Sequence, residues 1–127
     1  MAVLPTRGSI EAYGAEDDGN PVVMLNLLRY GEGGRELYEE YSRRILPILA
    51  RFGAEIVYAG ECSTTVIAPE VHGEWDSVLL VRYPSRQAFG EMTTDREYLE
   101  IAELRSRGLE DSLLQATREL NPRPAGG

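Results

Sequence analysis

The 127-residue chain contains no lysine. That excludes Schiff-base chemistry through a lysine and a Walker-type phosphate loop, both of which need the amine. A single cysteine, Cys62, excludes an intramolecular disulfide. A single histidine, His72, excludes the usual zinc ligand sets, and any proximal haem ligand would have to be this same residue. No apolar run exceeds about eight residues, less than half of a membrane span, so no membrane partner is expected. Residues 1–5 lack the basic region and apolar core of an export signal, and a cytoplasmic protein is the plain expectation. Positive charge is also scarce. Thirteen basic residues, all arginine, face 21 acids, and the formal charge of -8 disfavours nucleic acid, whose phosphates are held by clustered Lys and Arg.

What remains is the composition of one ordinary globular domain, 43% hydrophobic and 27% charged. The expected organisation is an N-terminal extension over 1–20 with a short helix, a folded domain over 21–120 and a frayed tail over 121–127 (NPRPAGG). In the extension, Thr6 or Ser9 is placed to cap a helix carrying Ile10 and Tyr13. Val22 to Tyr30 (VVMLNLLRY) follows Asn20-Pro21 and is too short and too uniformly apolar for an amphipathic helix, so it reads as a strand. From Arg35 to Phe52, apolar residues recur every three or four positions (Leu37, Tyr41, Ile45, Ile48, Phe52), with Tyr38 and Leu49 widening the stripe. Pro47 should kink this helix and Gly53 should end it. Residues 54–68 hold β-branched period-two segments, with Gly60 a bulge candidate. PEVHGE then turns the chain into a strand over 75–83 (WDSVLLVRY). Ser85 caps a short helix to Met92, Thr94 and Glu97 have capping-box spacing for a second piece over 95–107, and a last strand falls near 112–118.

This order predicts an α+β, ferredoxin-like βαββαβ plan with two helices covering one face of a four-stranded antiparallel sheet. The strands near 22–28 and 78–81 are apolar on both sides, so the other face is expected to meet a second copy of the chain. PVVMLNLLRY, the Tyr38–Tyr41 pair, WDSVLLVRYPSRQAFGEM, DREY and LEDSLLQAT together resemble the bacterial family called domain of unknown function 1330 (DUF1330), of the dimeric α/β-barrel superfamily. The resemblance implies a ferredoxin-like protomer pairing sheet to sheet into a homodimeric barrel, and an Asn in the first strand. It implies no particular reaction. The wider superfamily includes cofactor-free monooxygenases, muconolactone isomerases and haem-degrading enzymes, so fold does not fix function.

Among candidate site residues, Asn26 stands out as a polar side chain on the apolar Val22–Met24–Asn26–Leu28 face. Its amide needs partners, either a ligand in a pocket or a neighbouring strand. Arg82, and Arg29 near the end of the first strand, could hold a substrate carboxylate through paired bonds or simply bridge to one of the many acids. If a pocket exists, Asn26 and Arg82 are expected to reach it together. His72 with Asp76 could act as base and orienter if the turn folds inward; an exposed turn histidine is the plainer alternative. Trp75, Tyr38, Tyr41, Tyr83 and Tyr98 offer aromatic walls with polar tips, or ordinary core. Gly31, Gly33 and Gly34 lack dinucleotide spacing and read as a mobile connection, while Cys62 reads as a small buried thiol. No cofactor or metal is expected. The functions left open are a cofactor-independent enzyme working by proton transfer or oxygenation on a small polar or aromatic substrate, a non-catalytic ligand-binding module, and a purely structural homodimer.

Overall fold

The computed structural model describes residues 3–120, so the expected tail over 121–127 lies outside the described residues. The elements run α1 (Arg7–Ala15), β1 (Val22–Tyr30), α2 (Gly34–Arg51), β2 (Glu55–Glu61), β3 (Ser77–Tyr83), α3 (Arg86–Thr93), α4 (Arg96–Gly108) and β4 (Leu109–Thr117). The sheet is antiparallel, in the order β2-β3-β1-β4. This is the ferredoxin-like βαββαβ plan, with α1 as an added N-terminal element.

Burial in β1 alternates as the period-two reading requires. Val22, Met24, Asn26 and Leu28 are buried, and their neighbours are half-buried. Cross-strand register places Tyr83, Val81 and Leu79 beside Val22, Met24 and Asn26, so these side chains share the helix-covered face. Tyr38, Tyr41, Ile45, Ile48 and Leu49 of α2 close over that face, joined by Met92 and Ile101 from α3 and α4. The opposite face carries Val23, Leu25, Leu27, Val78 and Leu80, all half-buried, with no helix of the described residues over it.

Helix ends follow side-chain chemistry. Thr6 caps α1 in a reciprocal box with Ser9, Ser85 caps α3 through the Ala88 amide, and Asp95, rather than the expected Thr94, caps α4 through the Glu97 amide, the Thr94 hydroxyl being spent on the Gly90 carbonyl. Helix α2 runs through Pro47 without a break. Its N-terminus crosses the C-terminus of α4 at Gly34 and Gly108, and the Gly31 amide donates to the Gly108 carbonyl at 3.0 Å.

Three expectations are corrected. The second strand stops at Glu61, and residues 62–76, including the β-branched TTVIA, form a long, largely exposed connection, anchored at its ends by the Cys62 amide on the Asp76 carbonyl and the Asp76 amide on the Leu28 carbonyl. The register shift falls between Ile56 and Tyr58, while Gly60 stays paired with Val78. Cys62 is exposed, because it sits just past the last paired residue of an edge strand.

Candidate functional site

The period that buries Met24 also buries Asn26, which is 7% exposed. Its Nδ2 donates to the Met24 carbonyl at 3.3 Å and, at 3.5 Å, to the Leu79 carbonyl across the sheet. Carbonyls accept only, so this fixes the amide orientation. Oδ1 accepts nothing from the described residues, yet it is not sealed in. It opens on a cavity of about 1500 Å³ between sheet and helices, which Asn26 lines.

Tyrosines build the wall of this cavity. Tyr30 and Tyr38 have ring centroids 5.6 Å apart, Tyr38 and Tyr41 are at 5.3 Å, and Tyr41 and Tyr98 meet edge-on at 6.3 Å. The hydroxyls of Tyr41 and Tyr98 share a hydrogen bond of 3.3 Å, and those of Tyr30 and Ser77 one of 2.9 Å. Burial pushes the Tyr38 hydroxyl up to about 12 and the Tyr41 hydroxyl well above its usual 10.0, against a smaller downward pull from Arg105. These phenols, neutral at pH 7 like any tyrosine, stay protonated further into the alkaline range and act as hydrogen-bond donors, not bases. Trp75 lines the same cavity, its indole against Gly73, where a Cβ would come within 2.8 Å of the ring.

The structure brings Asn26, Tyr38, Tyr41, Tyr98 and Trp75 to this one cavity. It does not bring Arg82 there, which corrects the expectation that both residues reach one pocket. Register pairs Arg82 with Val23 and puts it on the opposite face, where Nε bonds Glu119 at 3.2 Å beside a small depression of about 180 Å³. Arg29 similarly pairs with Glu110 and Asp111. His72 and Asp76 are not joined either. His72 is an exposed turn residue with Nδ1 against the Gly73 carbonyl, whereas Asp76 accepts the Tyr30 amide at 2.9 Å and so closes the end of β1. Tyr30 was legible in principle, being two residues beyond Leu28 on the same period. Arg86 and Arg105, which also line the cavity, carried no signal, because the turn of a helix that faces a cavity depends on how the helix packs. Among the described residues there is no cluster of His, Cys, Asp and Glu able to hold a metal, and no helix is long and apolar enough to cross a membrane.

The family described as "Domain of unknown function (DUF1330)" matches residues 33–116. The RPA0582 protein of unknown function from Rhodopseudomonas palustris is similar at 33% identity and a TM-score of 0.85, covering 94% of this chain and 98% of that one. Lower similarity, at the level of fold alone, extends to a candidate antibiotic biosynthesis monooxygenase from Bacteroides thetaiotaomicron (16% identity, TM-score 0.59, 81% of this chain and 92% of that one). It extends likewise to a dimeric ferredoxin-like protein from Bacteroides fragilis (11% identity, TM-score 0.56, 78% and 96%). No curated protein matches the chain.

Proposed function

The chain belongs to the DUF1330 family, and on that premise we propose that it binds and orients a small aromatic or otherwise apolar molecule in the cavity between sheet and helices. The observation that carries this reading is Asn26. A side chain nine-tenths buried with an unused acceptor opening on an aromatic-walled cavity loses stability unless something donates to it. A ligand hydroxyl or amide N–H is the matching chemistry. The wall offers neutral phenols, which can donate to and polarise a substrate oxygen. A reaction here would be of the cofactor-independent kind, proton transfer or oxygenation, with reactivity carried by the substrate itself.

Naphthol, a flat apolar probe with one donor, tests this. Asn26→Leu should leave the thermal midpoint unchanged or raised, because the change removes an unsatisfied acceptor and two long bonds. Naphthol affinity, read by calorimetry, should fall about tenfold or more. A variant that loses more than about 2 kcal/mol of stability and binds naphthol as well as the parent does would make Asn26 a structural bridge and defeat the reading.

We also propose that the open sheet face pairs two copies of the chain. Leu25 and Leu80 sit opposite one another at the centre of that apolar face, and dimeric ferredoxin-like proteins share the fold. An obligate interface of this kind buries on the order of 2,000 Å². Light scattering at micromolar concentration should give twice 14.1 kDa, and Leu80→Glu should give the monomer mass. A monomeric parent would reject the pairing.

A further inference from the structure

Three glutamates (Glu16, Glu39, Glu61) and three arginines (Arg35, Arg86, Arg105) line the cavity, yet two of these arginines have no carboxylate beside them. Eight arginines of the described residues have a carboxylate within 3.7 Å. Four have none: Arg86, Arg96, Arg105 and Arg107. Arg96 and Arg107 are exposed and solvated. Of the other two, Arg86 is buried and Arg105 half-buried, and both line the cavity. In a chain with 21 acids, withdrawn guanidiniums without a carboxylate are the exception.

Arg86 is 8% exposed. Its Nη1 donates to the Tyr13 carbonyl at 3.0 Å, and its guanidinium lies 4.6 Å from the Tyr13 ring centroid. The remaining donors find no acceptor among the described residues, and none of them is sealed off from open space. Arg105 donates one bond through Nη1, to the Val3 carbonyl at 3.3 Å. Both guanidiniums are thus steadied by neutral carbonyls of the N-terminal segment. Those carbonyls fix direction but leave the positive charge uncompensated, and a buried uncompensated charge is costly.

We propose that Arg86 and Arg105 each give this cavity a preference for anions, and that its ligand carries a carboxylate. The guanidinium fork matches the two coplanar oxygens of a carboxylate and holds them by charge-assisted bonds. The tyrosine wall takes the apolar body of the same molecule, while Asn26 accepts from a donor elsewhere on it. This inference rests on the small-molecule reading above and narrows it to aromatic or apolar carboxylic acids.

Naphthoate and naphthamide have nearly the same shape and differ in charge, so they form the test pair, with inorganic phosphate as a third probe. Calorimetry on the full chain should show naphthoate binding at least about tenfold more tightly than naphthamide. Raising the salt concentration should narrow that gap. Arg105→Met should reduce the preference while retaining naphthamide binding. Arg86→Met should do the same, but it also removes the tie to Tyr13, so Arg105→Met is the decisive variant if Arg86→Met unfolds. Equal affinity for the two naphthalenes would overturn the anion preference and leave the cavity reading intact. Phosphate binding more tightly than naphthoate would overturn the carboxylate assignment. Failure of naphthol, naphthoate and naphthamide alike would remove the cavity reading and this inference with it.

Discussion

Gly34→Ala should be the most damaging single-methyl change in the protein. A Cβ at Gly34 would lie 2.0 Å from the Gly108 carbonyl oxygen and 2.8 Å from its carbon. Both are backbone atoms, and the oxygen also accepts the Gly31 amide, so no side chain can swing aside. Relief requires parting the start of α2 from the end of α4. Overpacking of well-packed sites costs about 1–3 kcal/mol, and a backbone obstacle belongs at or above the top of that range. That is a large share of a typical domain stability of about 5–15 kcal/mol. Gly108→Ala meets the Gly34 carbonyl oxygen at 2.8 Å and should be milder. Gly8→Ala, inside α1 with nothing within 4 Å, should stabilise by about 0.5–1 kcal/mol. Chemical denaturation of the three variants checks the order. The crossing also sets α2 against α4, and with it Tyr41 against Tyr98, so a Gly34→Ala protein that does fold should bind naphthol more weakly. A Gly34→Ala chain as stable as the parent would mean that the two helices are not locked at this point.

The sequence makes the scaffold legible where burial and chain period agree. Strand β1 reads as apolar on both faces, and the period of two groups Asn26 with Val22, Met24 and Leu28; the burial of that set in the structure identifies it as the inner face. Helix α2 announces itself through the stripe from Leu37 to Phe52. The buried stripe runs through Gly34, Tyr38, Tyr41, Ile45, Ile48 and Leu49, leaving Leu37 and Phe52 half-buried, and no local pattern encodes the close Gly34–Gly108 contact at its start. The TTVIA segment misleads for a related reason. β-branched residues favour a strand only when a neighbouring strand supplies partners, and β3 begins at Ser77, leaving Val66 and Ile67 85% and 92% exposed. For the site, the strand contributions were accessible and the helix contributions were not. By sequence Arg82 is as eligible as Asn26, because each is a polar residue within an apolar strand. Only the register, Val23 against Arg82, shows that they occupy opposite faces. Arg86 and Arg105 become visible only when each arginine can be checked for an acid beside it.

The absence of lysine gives the tyrosines an alkaline signature free of amine titration. Tyr38 is 6% exposed, and its hydroxyl is raised from 10.0 to about 12 by burial. Burial raises those of Tyr41 and Tyr83 as well. A raised pKa in the folded state means that the folded protein holds its phenol protons more tightly than the unfolded chain does. The stabilising effect is therefore complete below pH 10. It is lost as pH climbs from about 10 toward 12, where the unfolded chain ionises and the folded one does not. Each pH unit in that window removes about 1.4 kcal/mol per buried tyrosine, so Tyr38 alone accounts for a loss on the order of 2–3 kcal/mol across it. With Tyr41 and Tyr83 acting in the same direction, the domain should unfold cooperatively within the window. Tyrosinate absorbance and far-ultraviolet circular dichroism, followed together, should show the buried phenols ionising in the same step that abolishes the secondary structure. Tyr38→Phe isolates the cause, since the Tyr38 hydroxyl makes no hydrogen bond among the described residues and its loss should be nearly silent at neutral pH. The variant's alkaline midpoint should move upward. An unchanged midpoint in Tyr38→Phe, or a parent whose phenols all titrate near 10 while its dichroism stays intact, would show that solvent reaches the tyrosine wall in the folded protein.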